Sequence, residues 1–476
     1  MFEIAGEIAR SSVARRVLFA ARMRYSHRLI LSLSIALVAC DSSKGGDPGT
    51  DDGGGGGDAG GCQGLACFQV VCPGGRPGAT TLSGTVYAPN GTLPLYNATV
   101  YVPNGTVAPF PAGVSCDRCN APLSGDPLVV TTTDSAGHFV LENVPATHDV
   151  PLVIQVGRWR RQLIIPAVTA CVDAPLGAEE TRLPRNQGEG DIPLMALTTG
   201  GADALECLLR KVGIDDAEFT SGEGAGRVHL YAGAGGTDRF AGGASLGGAK
   251  AFWSSLDHLS RYDVVFLSCE GDQNPDSKPP EALQAMHDYT SKGGRVFASH
   301  WHNYWLQAGP APWPTTVTFD FKDDLNDIDA DVDTTGATGH ALAEWLLNVG
   351  GSTALGKIAI TAAQHTVTGV NPALAERLIY KDVTANGAPS VQYMTFTTPL
   401  TVDQSMRCGK FVFSDIHVSS GDKSAPNRPF PTGCTSTGLT PQEKTLAFMI
   451  FDIASCVGPP IGKAAPGAAC GAGAAR

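Results

Sequence analysis

The chain has no excess of basic residues. Its 34 Lys and Arg stand against 46 Asp and Glu, giving a net charge of −12 and a pI near 5.3. Nucleic-acid binding needs clustered Lys and Arg to neutralise phosphates, so a nucleic-acid partner is excluded, although a small anionic ligand is not. The apolar run near the N-terminus, LILSLSIAL at 29–37, falls short of the roughly 20 residues that a permanent membrane-spanning helix needs. A second Cys-x-x-Cys is also missing: only Cys116 and Cys119 have that spacing. A zinc site built from two such pairs is therefore absent, and structural disulfides compete with half a zinc site for this one.

Three further absences narrow the chemistry. The glycine loop at 233–237 follows a strand but has neither a Gly-Lys-Ser/Thr ending nor the full dinucleotide spacing, so it is read as a plain loop. The acidic run at 327–333 has Val332 where a calcium loop needs Gly, and Thr338 where it needs Glu. Its strict alternation fits a strand with one solvated acidic face better than a calcium site. No closed eightfold strand–helix repeat is visible either.

What is present begins with an export signal. RYSHR at 24–28 is basic, the apolar run follows, and Leu37-Val38-Ala39-Cys40 closes it. This resembles the bacterial lipoprotein signal, whose lipobox ends in a cysteine that is lipidated and retained when the signal before it is cleaved; a plain signal peptide with an incidental cysteine is the alternative. Met23 stands just before the basic stretch and is the expected translation start. The resemblance implies a protein of the cell envelope, tethered to membrane lipid through Cys40, with the choice of membrane left open. Residues 41–61 are Gly- and Asp-rich and cannot bury apolar area, so they read as a flexible tether.

A chain of 476 residues is too long for one ordinary domain. The expected divisions are 1–39 for the signal, 40–61 for lipidated cysteine and tether, 62–199 and 200–456 for two globular units, and 457–476 for a flexible tail. The chain has 13 cysteines. After Cys40, six fall before residue 200 and six after it, so pairing within each unit is expected in an oxidising compartment.

Residues 81–166 read as short strands with turns, at 82–87, 98–102, 129–133, 139–141, 153–156 and 162–165, hence a β-sandwich. The segments SGTVYAPNG, PLYNATVYVP and TTTDSAGHFVLENVP resemble the carboxypeptidase regulatory-like family. That resemblance implies a transthyretin-like sandwich, usually non-catalytic, acting as a spacer or binding module. The insertion carrying Cys116 and Cys119 departs from the family's spacing.

Beyond residue 200 strands and helices alternate. Helices are expected at 203–212, 254–259, 281–290, 341–347 and 442–454. Strands are expected at 227–231, 263–268, 295–299, 357–361 and 410–414. Apolar strands alternating with helices imply an α/β unit with a mainly parallel sheet. Ligands of such sheets bind beyond the carboxyl ends of the strands. Polar clusters sit there: Cys269 to Asp272, His300 to Trp305, and Asp415 with His417, with Gln364 and His365 as a weaker fourth.

LSRYDVVFLSCEGD, ALQAMHDYTSKGGRVFASHWH and GKFVFSDIHVS resemble the ThuA-like branch of the class I glutamine-amidotransferase-like superfamily. This implies a flavodoxin-like fold and a link to disaccharide metabolism, with His300 and His417 on the family's two strand-end histidines. The family's Gly before the second histidine is Ile416 here. Amidotransferases of the superfamily carry a nucleophilic cysteine at the turn that is Ala298 to Trp301 here, where no cysteine stands. Cys269 is expected to be oxidised, so thiol chemistry lacks its nucleophile.

The candidate ligand or catalytic residues are therefore His300, His302, His417, Glu270, Asp415 and His365. Trp301, Tyr304 and Trp305 are candidates for stacking on a sugar, or else for a buried aromatic cluster. His300 and His302, two apart in an extended segment, point the same way and either share a divalent metal or pack locally; no other cofactor is expected. Two function classes stay open. The first is a non-catalytic envelope lipoprotein that binds a ligand such as a carbohydrate. The second is an envelope enzyme acting on a sugar through its strand-end histidines. The layout also resembles lipoproteins that carry a tryptophan synthase alpha chain label, but nothing in the sequence supports that activity.

Overall fold

Short runs of β-branched residues separated by turn formers make seven strands in the first part of the chain. They are β1 (Thr81–Thr85), β2 (Thr99–Pro103), β3 (Pro127–Thr132), β4 (His138–Leu141), β5 (His148–Val156), β6 (Trp159–Ala167) and β7 (Asp173–Pro175). The structure, a computed structural model, describes residues 62–74, 78–320, 327–384 and 387–458. The expectations about the signal, Cys40, the tether and most of the tail lie outside these residues. Strands β3-β2-β5-β6 form one antiparallel sheet, and β4-β1-β7 form a second, in which β4 is antiparallel and β7 parallel to β1. Strand β4 shows how sequence sets the faces: Phe139 and Leu141 are buried while His138 and Val140 are exposed. The turn before it is held by Asp134, whose Oδ1 accepts from the backbone N–H groups of Ala136 and His138, and Gly137 takes the positive φ of 76° that the turn requires. Leu82 and Phe139 from one sheet and Val100 and Ile154 from the other share one apolar core.

The remaining strands are β8 (Met195–Thr198), β9 (Phe219–Ser221), β10 (Val228–Ala232), β11 (Gly247–Gly248), β12 (Val264–Leu267), β13 (Arg295–Ser299), β14 (Val317–Phe319), β15 (Ile328–Val332), β16 (Lys357–Ile360), β17 (Val367–Val370), β18 (Glu376–Lys381), β19 (Ser390–Thr398) and β20 (Gly409–Ser414). The main sheet runs β11-β10-β8-β12-β13-β20-β19-β18-β15-β16, with β9 also on β10. Pairing is parallel from β11 across to β20. Strands β8, β12 and β13 are buried along their whole length, as expected of parallel strands covered on both faces. From β20 to β16 the sheet is antiparallel, so the expected strand at 357–361 belongs to an antiparallel edge rather than a parallel array. The acidic run forms β15, in which Asp329 is exposed and Asp331 pairs with Lys357.

Helix Pro441–Ala454 packs beneath the sheet. Its start is a capping box: Thr440 accepts from the Glu443 N–H and Glu443 accepts from the Thr440 N–H, with Pro441 in the first turn. Helix Pro280–Ser291 also begins with proline and buries Ala282, Met286 and Tyr289.

The cysteines correct an expectation. Cys62–Cys67 and Cys72–Cys171 pair locally, and Cys207–Cys434 pairs within the later part. But Cys116 pairs with Cys408 and Cys119 with Cys456, across 292 and 337 residues. The segment between β2 and β3 that carries Cys116 and Cys119 is thus stapled to the α/β part. Cys269 is a free, buried thiol, not an oxidised one. Apolar packing crosses the same boundary: Trp159 meets Phe451, and the Trp345 indole N–H donates to the Pro94 carbonyl. Val457, assigned to the flexible tail, is buried and bridges to Arg118. Among the described residues no helix is long and apolar enough to cross a membrane.

Candidate functional site

The sheet order reverses at β8: β10 lies on one side of it and β12 on the other. Loops leaving the carboxyl ends of β8, β10 and β12 therefore meet there, where an α/β crevice forms. They meet closely because a glycine, Gly200, stands two residues past the end of β8. A Cβ on Gly200 would lie 2.2 Å from the Cys269 carbonyl oxygen, so no other residue fits without moving the β12 loop.

Glu270, just past β12, ties these loops together. Its Oε1 accepts from the Ala234 N–H at 2.9 Å, and its Oε2 lies 2.6 Å from the Lys278 ammonium. Both side chains are buried. Burial alone would raise the Glu270 carboxyl, but the Lys278 ammonium and the Ala234 N–H outweigh it and hold the carboxyl below its ordinary range. Burial lowers the Lys278 ammonium in turn. Beside this pair is an open cavity of about 390 Å³, lined by Trp253, Glu270, Asp272, Asn274, Lys250 and the backbone at Gly233.

The second feature lies one strand further on. Strand β13 ends at Ser299, and His300 takes a left-handed backbone with φ 41°. The chain then turns into a 3-10 segment, His300–Asn303. This overturns the expected extended geometry. With three residues per turn, positions two apart diverge by about 240° instead of facing the same way. His300 turns toward Cys269, with Sγ 3.4 Å from Nδ1, and toward the His417 ring, whose centroid is 5.2 Å away. His302 turns the other way. Its Nε2 meets the Ser268 carbonyl at 3.0 Å and its Nδ1 accepts from the Trp305 indole at 3.1 Å. Both ring nitrogens are thus committed, with the proton on Nε2. Burial, followed by the Lys278 charge, pushes the His302 imidazole down to about 3. Of the two alternatives for His302, a metal shared with His300 or local packing, the geometry is that of local packing, and His302 is a neutral structural histidine.

Cys269, His300 and His417 do converge: their ligand atoms all lie within 4.8 Å of one another. They come from the ends of β12, β13 and β20, which are neighbours in the sheet. Asp203 fixes the arrangement from behind. It accepts from the Ser299 hydroxyl at 2.8 Å and from the Val418 N–H at 3.0 Å, the residues adjoining His300 and His417. Its burial raises the carboxyl to about 6 against the opposing pull of those hydrogen bonds.

The other sequence candidates are outside the Cys269–His300–His417 convergence, although Asp415 feels the His300 charge and Trp301 packs on its ring. Asp415 is fully buried and accepts from the Thr366 N–H and hydroxyl, and burial raises it. His365 is buried with Nε2 at 2.9 Å from the Pro389 carbonyl. Trp305 is wholly buried against Trp253, in the buried aromatic cluster that was the alternative to stacking on a sugar. Trp301 and Tyr304 are half-buried, with Trp301 against the His300 ring. The cavity that Glu270 lines contains neither His300 nor His417. Asp203 and Lys278 were not among the sequence candidates. A lone Asp before a helix and a lone Lys before a proline carry no spacing signal. Cys269 was misjudged because the twelve cysteines after Cys40 make an even count, which suggested complete pairing.

No family model matches the chain, and no curated protein matches it. Among solved structures it is similar to a protein from Bacteroides uniformis described as ThuA-like, at 10% identity and a TM-score of 0.29, covering 54% of this chain and 89% of that one. It is also similar to a cohesin–X-dockerin complex from Acetivibrio cellulolyticus, at 20% identity and a TM-score of 0.15, covering 31% and 78%. Neither likeness bears on function.

Proposed function

We propose that this chain is a lipid-anchored protein of the bacterial envelope that binds a carbohydrate without transforming it. The observation that supports this is the lining of the cavity of about 390 Å³ beside β10 and β12, with Glu270, Asp272, Asn274 and Lys250 around it. Sugar recognition uses a few fixed carboxylate, amide and ammonium groups for hydroxyls in a cavity of this general size. The buried Glu270–Lys278 pair holds the wall of the cavity in place. The five disulfides suit an oxidising compartment. In this reading Cys40 carries the lipid and residues 41–61 act as the tether. Strands β1 to β7 make a transthyretin-like sandwich of the carboxypeptidase regulatory-like kind. The later strands make a flavodoxin-like, ThuA-like unit that presents the cavity.

The test is a screen of mono- and disaccharides by a glycan array, using the Cys40→Ser chain. Saturable binding to at least one sugar is expected, and silence across the panel contradicts the reading. A second reading, an envelope enzyme acting on a sugar, is favoured by the closeness of Cys269 to His300. It requires turnover of a bound sugar that His300→Ala abolishes.

A further inference from the structure

We propose that Cys269, His300 and His417 form a binding site for a soft divalent cation of the Zn²⁺ type. The sugar reading does not depend on this site, nor the site on that reading. Thiolate and imidazole are the ligand types that select such ions over Mg²⁺ and Ca²⁺, which prefer oxygen.

Three observations carry the inference. Among the described residues, this is the group of thiol and imidazole side chains whose ligand atoms converge, all within 4.8 Å of one another. A tetrahedral zinc with bonds of about 2.0–2.3 Å sets its ligand atoms roughly 3.3–3.8 Å apart, so a contraction of about an ångström completes the set. Second, Cys269 is the one cysteine among the described residues left out of a disulfide, although the others there are bridged. Third, the backbone is shaped to aim the ligands: His300 holds a left-handed φ of 41° at the strand end. Buried Asp203 clamps the residues beside both histidines by accepting from Ser299 and Val418. This carboxylate fixes the backbone on which the two histidines stand.

On binding, the Cys269 thiol gives up its proton to solvent and the sulfur bonds to the metal as thiolate; the imidazoles bind as neutral rings. Three protein ligands leave a four-coordinate ion one further ligand to take from elsewhere.

The test uses the full chain, stripped with a chelator and titrated with Zn²⁺ alone, then with Co²⁺ alone. About one Zn²⁺ per chain is expected. The Co²⁺ form should show a thiolate-to-metal charge-transfer band that Cys269→Ser removes. Cys269 is buried, so this variant is paired with His417→Ala at the half-buried rim, and both are checked for native circular dichroism. His417→Ala should weaken Zn²⁺ binding by at least about tenfold. The proposal is overturned by a stoichiometry near zero, by a Co²⁺ spectrum without a thiolate band, or by unchanged affinity in a folded His417→Ala chain.

Discussion

The Sγ of Cys269 lies 3.4 Å from Nδ1 of His300, although 31 residues separate them and they follow different strands of the sheet. That contact exists because β12 and β13 run parallel with Leu267 opposite Ala298, so both chains turn outward at the same level. It also depends on His300 leaving its strand through a left-handed turn.

Lys211 holds two fully buried carboxylates: Asp422 at 2.8 Å and Glu443 at 2.7 Å. Replacing only the cation leaves two uncompensated charges inside the protein, a loss of about 3–5 kcal/mol by analogy with other broken buried pairs. Lys211→Met should therefore lower the urea midpoint sharply with little change in slope. A midpoint like the wild type would show that the pair carries no such weight.

Glu206 is buried in helix Leu205–Lys211, and its Oε2 has no hydrogen-bond partner among the described residues. Burial, reinforced by Asp203 and Asp422, raises its carboxyl from an ordinary 4.5 to about 7. The native state then binds more protons than the unfolded state between those values, so stability falls as pH rises through that window. Above it the charged form costs on the order of 3 kcal/mol. Glu206→Gln should raise the melting temperature by a few degrees at pH 8 and change it little at pH 5. Thermal melts at both values decide; an equal effect at the two would refute the linkage.

The bridges Cys116–Cys408 and Cys119–Cys456 close very long loops. Removing either by a pair of serine substitutions should cost about 2–4 kcal/mol. Calorimetric melting of each double variant should show this, and non-reducing peptide mapping should recover both linked peptide pairs. Recovery of bridges confined to each half would contradict the structure.

Anchoring is tested at Cys40. Cys40→Ser should move the exported protein from the detergent phase to the aqueous phase in phase partitioning. Unchanged partitioning would remove the lipid from the account.

The sequence made much of this architecture legible because the signals were strong. Apolar runs at 263–268 and 295–299 appear as β12 and β13, and the Pro- and Gly-bounded stretch at 281–290 as helix Pro280–Ser291. The miss at β19 has a physical cause. Ser390–Thr398 is buried on both faces while mixing Ser, Gln and Thr among its apolar residues, so neither alternation nor an apolar run marks it. Strand β8 is only four residues long and was hidden before the texture changed. The strand-end positions of His300 and His417 followed from the strands themselves. Which way each imidazole turned did not, because one positive φ at His300 separates it from His302. Disulfide partners between distant segments likewise depend on tertiary packing that spacing does not encode.

The most direct test of the carbohydrate reading is titration calorimetry of the best sugar from the screen into the wild-type chain and into Asp272→Ala. Asp272 lines the cavity from an exposed position, so its removal should leave folding intact. The account predicts saturable binding to the wild type and at least about tenfold weaker binding to the variant, the loss of one charged hydrogen bond of roughly 1.5–3 kcal/mol. Equal affinity for both chains would place the sugar elsewhere and contradict the assignment of this cavity.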